Sequence, residues 1–477
     1  MSRLCVALLA VLAALVLAPI GLAGGPAMRV GVSEDEVRQT SLVAAKTRLD
    51  LLRLAGLDSV RVSATWAPGQ TSPSTEDLPR LTNAVSGAAL AGLKAYVSVS
   101  QFGSATTPLK EAEQDAFARY AASIATTFPA LGGIIVGNEP NINRFWLPQF
   151  NPDGTDAAAP AYETLLAKTY DAVKAAQPRI PVIGAALSPH GGDKPGGARP
   201  THSPTVFIRD LGAAYRASGR TTPIMDVFGI HPYGDNSSQS PTVVHASTTI
   251  ALADYGKLVT LLGQAFDGTA QPGSTLPILY DEYGVESRIP ATAAALYSGS
   301  EPATTKPVAE ATQAAYYTLA LQTAFCQPNV VGMLLFHAID EPSLDRWQSG
   351  VYYANLMPKT SLSAVRDAAD TVRRGVAARC DWLQLTPQLR YLYWPRGKLL
   401  RQGHVRVTFT CDIDCHYVAK VATQTVTADA VGRERTVVEF PILVRKGTYR
   451  IRLTLTAPVN PGLPLAVASN QLKISGK

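Results

Sequence analysis

From Met28 onward, short apolar runs alternate with longer amphipathic segments. Short β-branched or aliphatic runs predict buried strands, and apolar positions recurring every three or four residues predict helices with one face inward. The predicted strands begin with Met28-Arg29-Val30-Gly31-Val32, Ser59-Val60-Arg61-Val62 and Leu93 to Val99. Gly133 to Glu139, Ile180 to Gly184 and Asp226 to His231 follow, then Leu276 to Glu282 and Val330 to Phe336. Between them the helical period predicts helices over Val37–Ala55, Glu76–Gly92, Glu111–Thr127, Ala161–Ala176, Pro204–Ser218, Ala251–Phe266, Ala309–Phe325 and Ser361–Ala378. Ser33 and Glu36 have the spacing of a capping box ahead of the first helix.

Eight strand-then-helix units in roughly 350 residues predict a (β/α)8 TIM barrel, assigned to residues 28–383. A doubly wound open sheet is the alternative. It would call for a Gly-rich nucleotide-binding turn after the first strand, and Gly31-Val32-Ser33 is not one. After Cys380 the period changes to two. Leu399 to Thr410, His416 to Thr423, Glu434 to Val444, Thr448 to Leu455 and Leu465 to Ile474 predict a small all-β sandwich of immunoglobulin or fibronectin type over 384–477. The connection near Asp381–Gly397 holds Trp382, Tyr391, Tyr393 and Trp394, which read as an apolar joint between domains, with sugar stacking as the alternative.

The first residues bear on compartment. Met1-Ser2-Arg3 is positively charged, Leu4 to Ala23 carries no charge, and small residues around Gly21 to Gly25 offer cleavage after about Ala23 or Ala27. Residues 1–27 are therefore expected to be an export signal, with an uncleaved anchor as the alternative, since the apolar stretch is long enough to span a bilayer. No other stretch is. The mature chain is expected to be secreted, monomeric and without a membrane span.

At 477 residues and 46% hydrophobic content, the chain exceeds one ordinary domain and can bury a sizeable core. Its net charge of +6 comes from scattered Arg with no basic run, which does not point to nucleic acid. Cys326, Cys380, Cys411 and Cys415 lie outside the signal, and in an exported chain disulfides are the default. Cys411 and Cys415 are expected to form a local clip, and Cys326 and Cys380 to staple the end of the barrel. No Cys-x-x-Cys, His-Glu-x-x-His or close His pair suggests a metal, so neither metal nor cofactor is expected. A Gly-x-Ser-x-Gly elbow and a P-loop are also missing, which argues against esterase and nucleotide chemistry.

In a barrel of this kind, catalytic groups sit where strands end. The second strand supplies Arg61 and, just beyond, Trp66. The fourth supplies Asn138 and Glu139 within Gly137-Asn138-Glu139-Pro140-Asn141, the sixth His231-Pro232-Tyr233, and the seventh Glu282 within Tyr280-Asp281-Glu282-Tyr283-Gly284. Alone, Asn138-Glu139-Pro140 reads equally well as a turn. A second carboxylate on the same rim changes that. If Ile278 and Tyr280 point into the barrel, Glu282 shares their face; under the opposite parity Asp281 is the inward carboxylate. Two rim carboxylates suit a retaining glycosidase, in which one donates a proton to the leaving oxygen and the other, ionised, attacks the anomeric carbon. Arg61 and Tyr233 are placed to hold the nucleophile ionised.

These motifs resemble those of the clan A glycoside hydrolases, retaining (β/α)8 enzymes that include cellulase-like family 5 and xylosidase-like family 39. The resemblance spans about residues 28 to 380. It implies Glu139 of the Asn-Glu-Pro as acid/base, Glu282 followed by Tyr283-Gly284 as nucleophile, Asn138 as ligand of the substrate 2-hydroxyl, and Tyr233 in contact with the nucleophile. Arg61, Trp66 and His231 match the clan pattern as substrate-binding positions. Asn138-Glu139-Pro140-Asn141 followed by Phe145-Trp146 has a family 39 flavour.

Where the clan commonly places a Trp at the end of strand eight, this chain has Leu335-Phe336-His337-Ala338, leaving Phe336 or the later Trp347 for the floor of the sugar site. Asp340-Glu341-Pro342 reads as a loop turn. Long loops over 142–160, 188–203 and 285–308 would wall a groove, with His190 and Trp146 as candidate contacts. The expectation is a secreted retaining glycoside hydrolase acting on an oligo- or polysaccharide by double displacement, its carboxyl groups about 5–5.5 Å apart. The alternatives are a transglycosylase of the same fold and a non-catalytic glycan-binding barrel.

Overall fold

The computed structural model describes residues 24–394, 404–441 and 447–474. Residues 1–23 of the expected export signal, 399–403 of the strand expected from Leu399, and 442–444 of the strand expected from Glu434 lie outside the described residues.

Eight parallel strands close into a barrel in sequence order. They are β1 (Arg29–Ser33), β2 (Ser59–Trp66), β3 (Lys94–Gln101), β4 (Gly133–Val136), β5 (Val182–Leu187), β6 (Val227–Ile230), β7 (Ile278–Tyr283) and β8 (Val330–Phe336). Each is followed by a helix: α1 (Leu42–Leu54), α2 (Asp77–Leu90), α3 (Glu111–Thr127), α4 (Ala158–Ala176), α5 (Pro204–Ala217), α6 (Tyr255–Phe266), α7 (Glu310–Phe325) and α8 (Leu362–Arg373). All four residues of β4, and all four of β6, are buried, because helices cover one face of the sheet and the barrel interior fills the other. That two-sided burial is why the strands are continuous apolar runs in the sequence.

Inside the barrel, Tyr96, Ile135, Ile183, Val227, Leu279 and Leu334 form an apolar plug. Outside it, residues such as Val97, Ile134 and Tyr280 pack on Leu49, Phe117, Leu165 and Tyr317 in the main core. The first helix starts later than its sequence suggests. Ser41 is its N-cap and accepts from Ala44 N at 3.2 Å, while Glu34 Oε1 accepts from Glu36 N at 3.0 Å in a separate short turn. The Ser33–Glu36 capping box is not the start of the helix.

The C-terminal part is all-β. One sheet runs β13 (Thr436–Pro441), β10 (His404–Cys411), β9 (Leu389–Tyr393); the other runs β12 (Gln424–Ala430), β11 (Cys415–Val421), β14 (Gly447–Thr456), β15 (Leu465–Ile474). Val407 and Phe409 of the first sheet pack on Tyr417, Ala419 and Leu453 of the second, which makes the two sheets a sandwich. Leu383, Leu385, Ile413 and Ala457 join the barrel's core, and Arg374 pairs with Asp414 at 3.2 Å across the joint. Of the aromatics expected there, Trp382 packs on the barrel core and Trp394 on the sandwich core, while Tyr391 and Tyr393 are exposed on β9.

Cys326 and Cys380 form a disulfide, as expected. Cys411 and Cys415 do not. They are separate buried thiols at the facing ends of β10 and β11. The Cys411 S–H donates to Cys415, and this bond together with burial pushes the Cys411 pKa far up and favours the thiol form. Among the described residues no helix is long and apolar enough to cross a membrane.

Candidate active site

The site begins where the apolar plug ends. Arg61 on β2, Ser98 on β3 and Asp281 on β7 form a polar layer, all three buried. Asp281 fits because β6 has Gly229 opposite; a Cβ there would lie 3.2 Å from Asp281 Oδ1. Arg61 is the hub. Its Nη1 donates to Glu282 Oε1 at 2.6 Å and to the Asp281 carbonyl at 3.1 Å, and lies 3.5 Å from Asp281 Oδ2. Its Nη2 donates to Asn138 Oδ1 at 3.1 Å and to Ser98 Oγ at 3.2 Å.

His231, fully enclosed at the end of β6, is the second hub. Its Nε2 lies 3.3 Å from Asp281 Oδ2, and its Nδ1 lies 2.9 Å from Glu139 Oε1 and 3.4 Å from Glu282 Oε2. Burial opposes a charge on this ring. The negative charges of Glu282 and Asp281, with hydrogen bonds to Asp281 and Glu139, overcome it and push the His231 pKa up to about 10. His231 is thus an imidazolium at neutral pH, donating from both nitrogens. For Asp281, burial is outweighed by His231 and Arg61, which hold its pKa below the usual carboxylate value. The sum of the two His231 Nδ1 distances, 6.3 Å, is the most by which Glu139 Oε1 and Glu282 Oε2 can be separated.

Backbone irregularity places both glutamates. β4 pairing ends at Val136, Gly137 adopts φ +80°, and Glu139 itself adopts φ +43°, an uncommon conformation for a side-chain-bearing residue. Its N–H still donates to the Ala186 carbonyl at 2.9 Å. Asn141, fully buried, then ties this turn to the loop after β5: it accepts from Ser188 N at 2.9 Å and donates to the Ser188 and His202 carbonyls at 3.1 and 3.0 Å. On β7 the register slips between Tyr280 and Tyr283. Ile278 and Tyr280 face the helices and Leu279 faces the plug, the reverse of the assumed parity. Asp281 consequently points inward, and the slip lets Glu282 reach the same side.

Over Glu282 stands an aromatic wall. Tyr233 donates to Glu282 Oε2 at 3.0 Å, and its ring lies 5.2 Å from Trp347 and 6.3 Å from Phe336. Phe336 and Trp347 meet at 5.0 Å, so both share the place considered for the floor. Behind them the buried Glu34 accepts from Ala338 N and Ile339 N at 3.0 and 3.1 Å. Its charge and that of Glu341 push His337 up to about 9 against the effect of burial.

Seven of the eight expected residues therefore meet: Arg61, Asn138, Glu139, His231, Tyr233, Glu282 and Phe336. Trp66 does not. It is 1% exposed, edge-on to Phe117 of α3, and donates its indole N–H to the Gln70 carbonyl at 2.8 Å. Trp146 is likewise buried, against Tyr162 of α4. Asp340 accepts from Lys359 at 2.8 Å, both side chains fully buried, so it is a structural part of its loop. No group of three or more His, Cys, Asp or Glu among the described residues is arranged to hold a metal ion.

The sequence matches no protein-family model and no curated protein. Solved structures do match. GH5_18 from Streptomyces cattleya, in complex with GlcNAc, superposes with a TM-score of 0.51 at 16% identity, over 74% of this chain and 81% of that one. What matches is the (β/α)8 barrel. The endo-beta-1,4-mannanase from Thermotoga petrophila matches with a TM-score of 0.43 at 11% identity, over 94% of this chain and 98% of that one. Bacteroides uniformis beta-glucuronidase gives 0.45 at 12% identity, over 95% of this chain and 47% of that one, so the present chain spans about half its length. At these identities the likeness is one of fold.

Proposed function

We propose that the protein is a secreted retaining glycosidase, with Glu139 as acid/base and Glu282 as nucleophile. The observation that carries this reading is the sharing of His231 Nδ1 by the two carboxylates, at 2.9 and 3.4 Å. One oxygen of each carboxylate is thereby held at the same imidazole nitrogen, which supports the short separation, about 5–5.5 Å, that direct attack needs.

In the first step Glu139 gives its proton to the glycosidic oxygen while Glu282 attacks the anomeric carbon and the leaving group departs. In the second, Glu139 takes a proton from water, which attacks the same carbon and frees Glu282. The charge of the site supports this division of labour. Three carboxylates (Glu139, Glu282, Asp281) face two cations (Arg61, His231). One proton on Glu139 makes the set neutral. When Glu282 becomes an ester its charge is lost as that of Glu139 appears, so the set stays neutral throughout. A buried polar site favours such a sequence, since each unpaired charge there is costly. In this reading Asn138, turned by Arg61, takes the 2-hydroxyl, and the contacts among Tyr233, Phe336 and Trp347 support their role as the wall of the sugar ring.

The test is turnover of aryl β-glycosides, with NMR reading the first-formed anomer. Retained configuration is expected, with loss of activity in Glu282→Gln. Glu139→Ala should keep partial activity only where the aryl leaving group needs no proton. An inverted product, or an active Glu282→Gln, would overturn the assignment.

A further inference from the structure

On the Glu139 side of the site, the loops after β4 and β5 enclose a cavity of about 690 Å³, within the size range of ligand sites. Ile142, in its wall, donates its N–H to the Glu139 carbonyl at 3.1 Å, which sets that wall one turn along the chain from the acid/base. Ser188, at the end of β5, and His190 form the opposite side. Two guanidinium groups, Arg144 and Arg199, complete the lining, and no carboxylate belongs to it.

Some arginines on this barrel are held by acids, as Arg209 is by Asp210 and Arg220 by Asp171. Arg144 and Arg199 have no such partner among the described residues. Arg144 stands over the ring of Phe145, 5.4 Å from its centroid, with its donors free. Two acids adjoin the cavity without lining it. Asp193 accepts from Ser203 N at 2.6 Å, and Asp235 Oδ1 is 4.0 Å from His190 Nδ1. The His190 ring is turned toward the Gly234 carbonyl and the Thr249 hydroxyl at 3.4 and 3.3 Å.

We propose that this groove is a leaving-group subsite for an anionic sugar, so that the substrate is a glycan bearing carboxylate or sulfate groups. The proposal rests on the glycosidase reading, because Glu139 then protonates the leaving oxygen and the residues just beyond it meet the leaving sugar. A guanidinium group recognises either anion through paired N–H donors, and two of them in one cavity without an internal acid are free to do so. The neutral aromatic wall at Tyr233 and Trp347 stands over Glu282 and lines no part of this cavity.

The experiment compares three β-linked oligosaccharides of equal length: one bearing glucuronate, one bearing sulfate, and an uncharged counterpart. It measures kcat/KM for wild type and for the Arg144→Ala/Arg199→Ala double variant. Wild type is expected to prefer at least one charged substrate by about tenfold or more, through KM, and the preference should shrink with added salt and collapse in the variant. Which charged arm shows the preference identifies the anion. A wild type without preference, or a variant that keeps it, overturns the proposal. Aryl β-glycosides carry no anionic leaving group, so their cleavage reports on the glycosidase reading separately. If nothing is cleaved, calorimetric titration of the same oligosaccharides decides the groove by itself: charge-selective binding lost in the variant supports it, and equal binding of all three overturns it.

Discussion

Asp281→Asn removes one negative charge from beneath the site and leaves its shape intact. In the wild type the Asp281 side chain is wholly enclosed, 3.3 Å from His231 Nε2 and 3.5 Å from Arg61 Nη1. Removing one partner from a buried charged set typically costs about 3–5 kcal/mol. Here Arg61 and His231 keep Glu282 and Glu139, so the loss should fall at the lower end, about 3 kcal/mol. The pH dependence is the sharper readout. The folded-state pKa of His231 lies above its unfolded value of 6.5, at about 10. Its contribution to stability is therefore complete below pH 6.5 and lost as pH rises through 10. Without the charge of Asp281, one cause of that elevation is gone, and the alkaline loss should begin at lower pH. Urea denaturation followed across the alkaline range measures both effects, and the alkaline limb of kcat/KM should move with it. An Asn variant with the wild-type midpoint and the wild-type alkaline limb would refute the placement of charge described here.

Lys359→Met should cost about 3–5 kcal/mol, because it leaves Asp340 buried without its cation. Adding Asp340→Leu should restore much of that, and thermal melts of the single and double variants decide it. Cys326→Ser opens a bridge between residues 54 apart, which constrains the unfolded chain by about 4 kcal/mol. Its melting temperature should fall to that of reduced wild type, and an unchanged value would place the stabilisation elsewhere. Deleting Gln384 to Lys477 strips Leu385, Ile413 and Ala457 from the barrel's core. It should lower melting more than turnover, whereas unchanged melting with lost binding to an insoluble glycan would assign the sandwich a binding role instead.

The barrel was legible because each of its strands is buried on both faces and stands out as an apolar run, with an amphipathic helix after it. β9 and β12 lacked that signal. β12 buries only its last residue, and β9 carries exposed Tyr391 and Tyr393, so neither offers an apolar run to find. Alternation failed at the site for a related reason. It assigns a face only while the ladder is regular, and β7 slips between Tyr280 and Tyr283, which brings Asp281 and Glu282 to the same side. Glu139 lies beyond the last paired residue of β4, in a left-handed conformation, where no period applies. Both glutamates were found through the residue types around them. Where β2 is regular, the period was the better guide. Trp66 is five positions from Arg61, an odd offset, so it faces the helices when Arg61 faces inward. That offset was available in the sequence and outweighs the motif spacing that had put Trp66 in the site. Asn138, Glu139 and Glu282 show the converse: once a strand leaves its ladder to present a side chain, the chemistry of neighbouring residues is the remaining clue to which way it points.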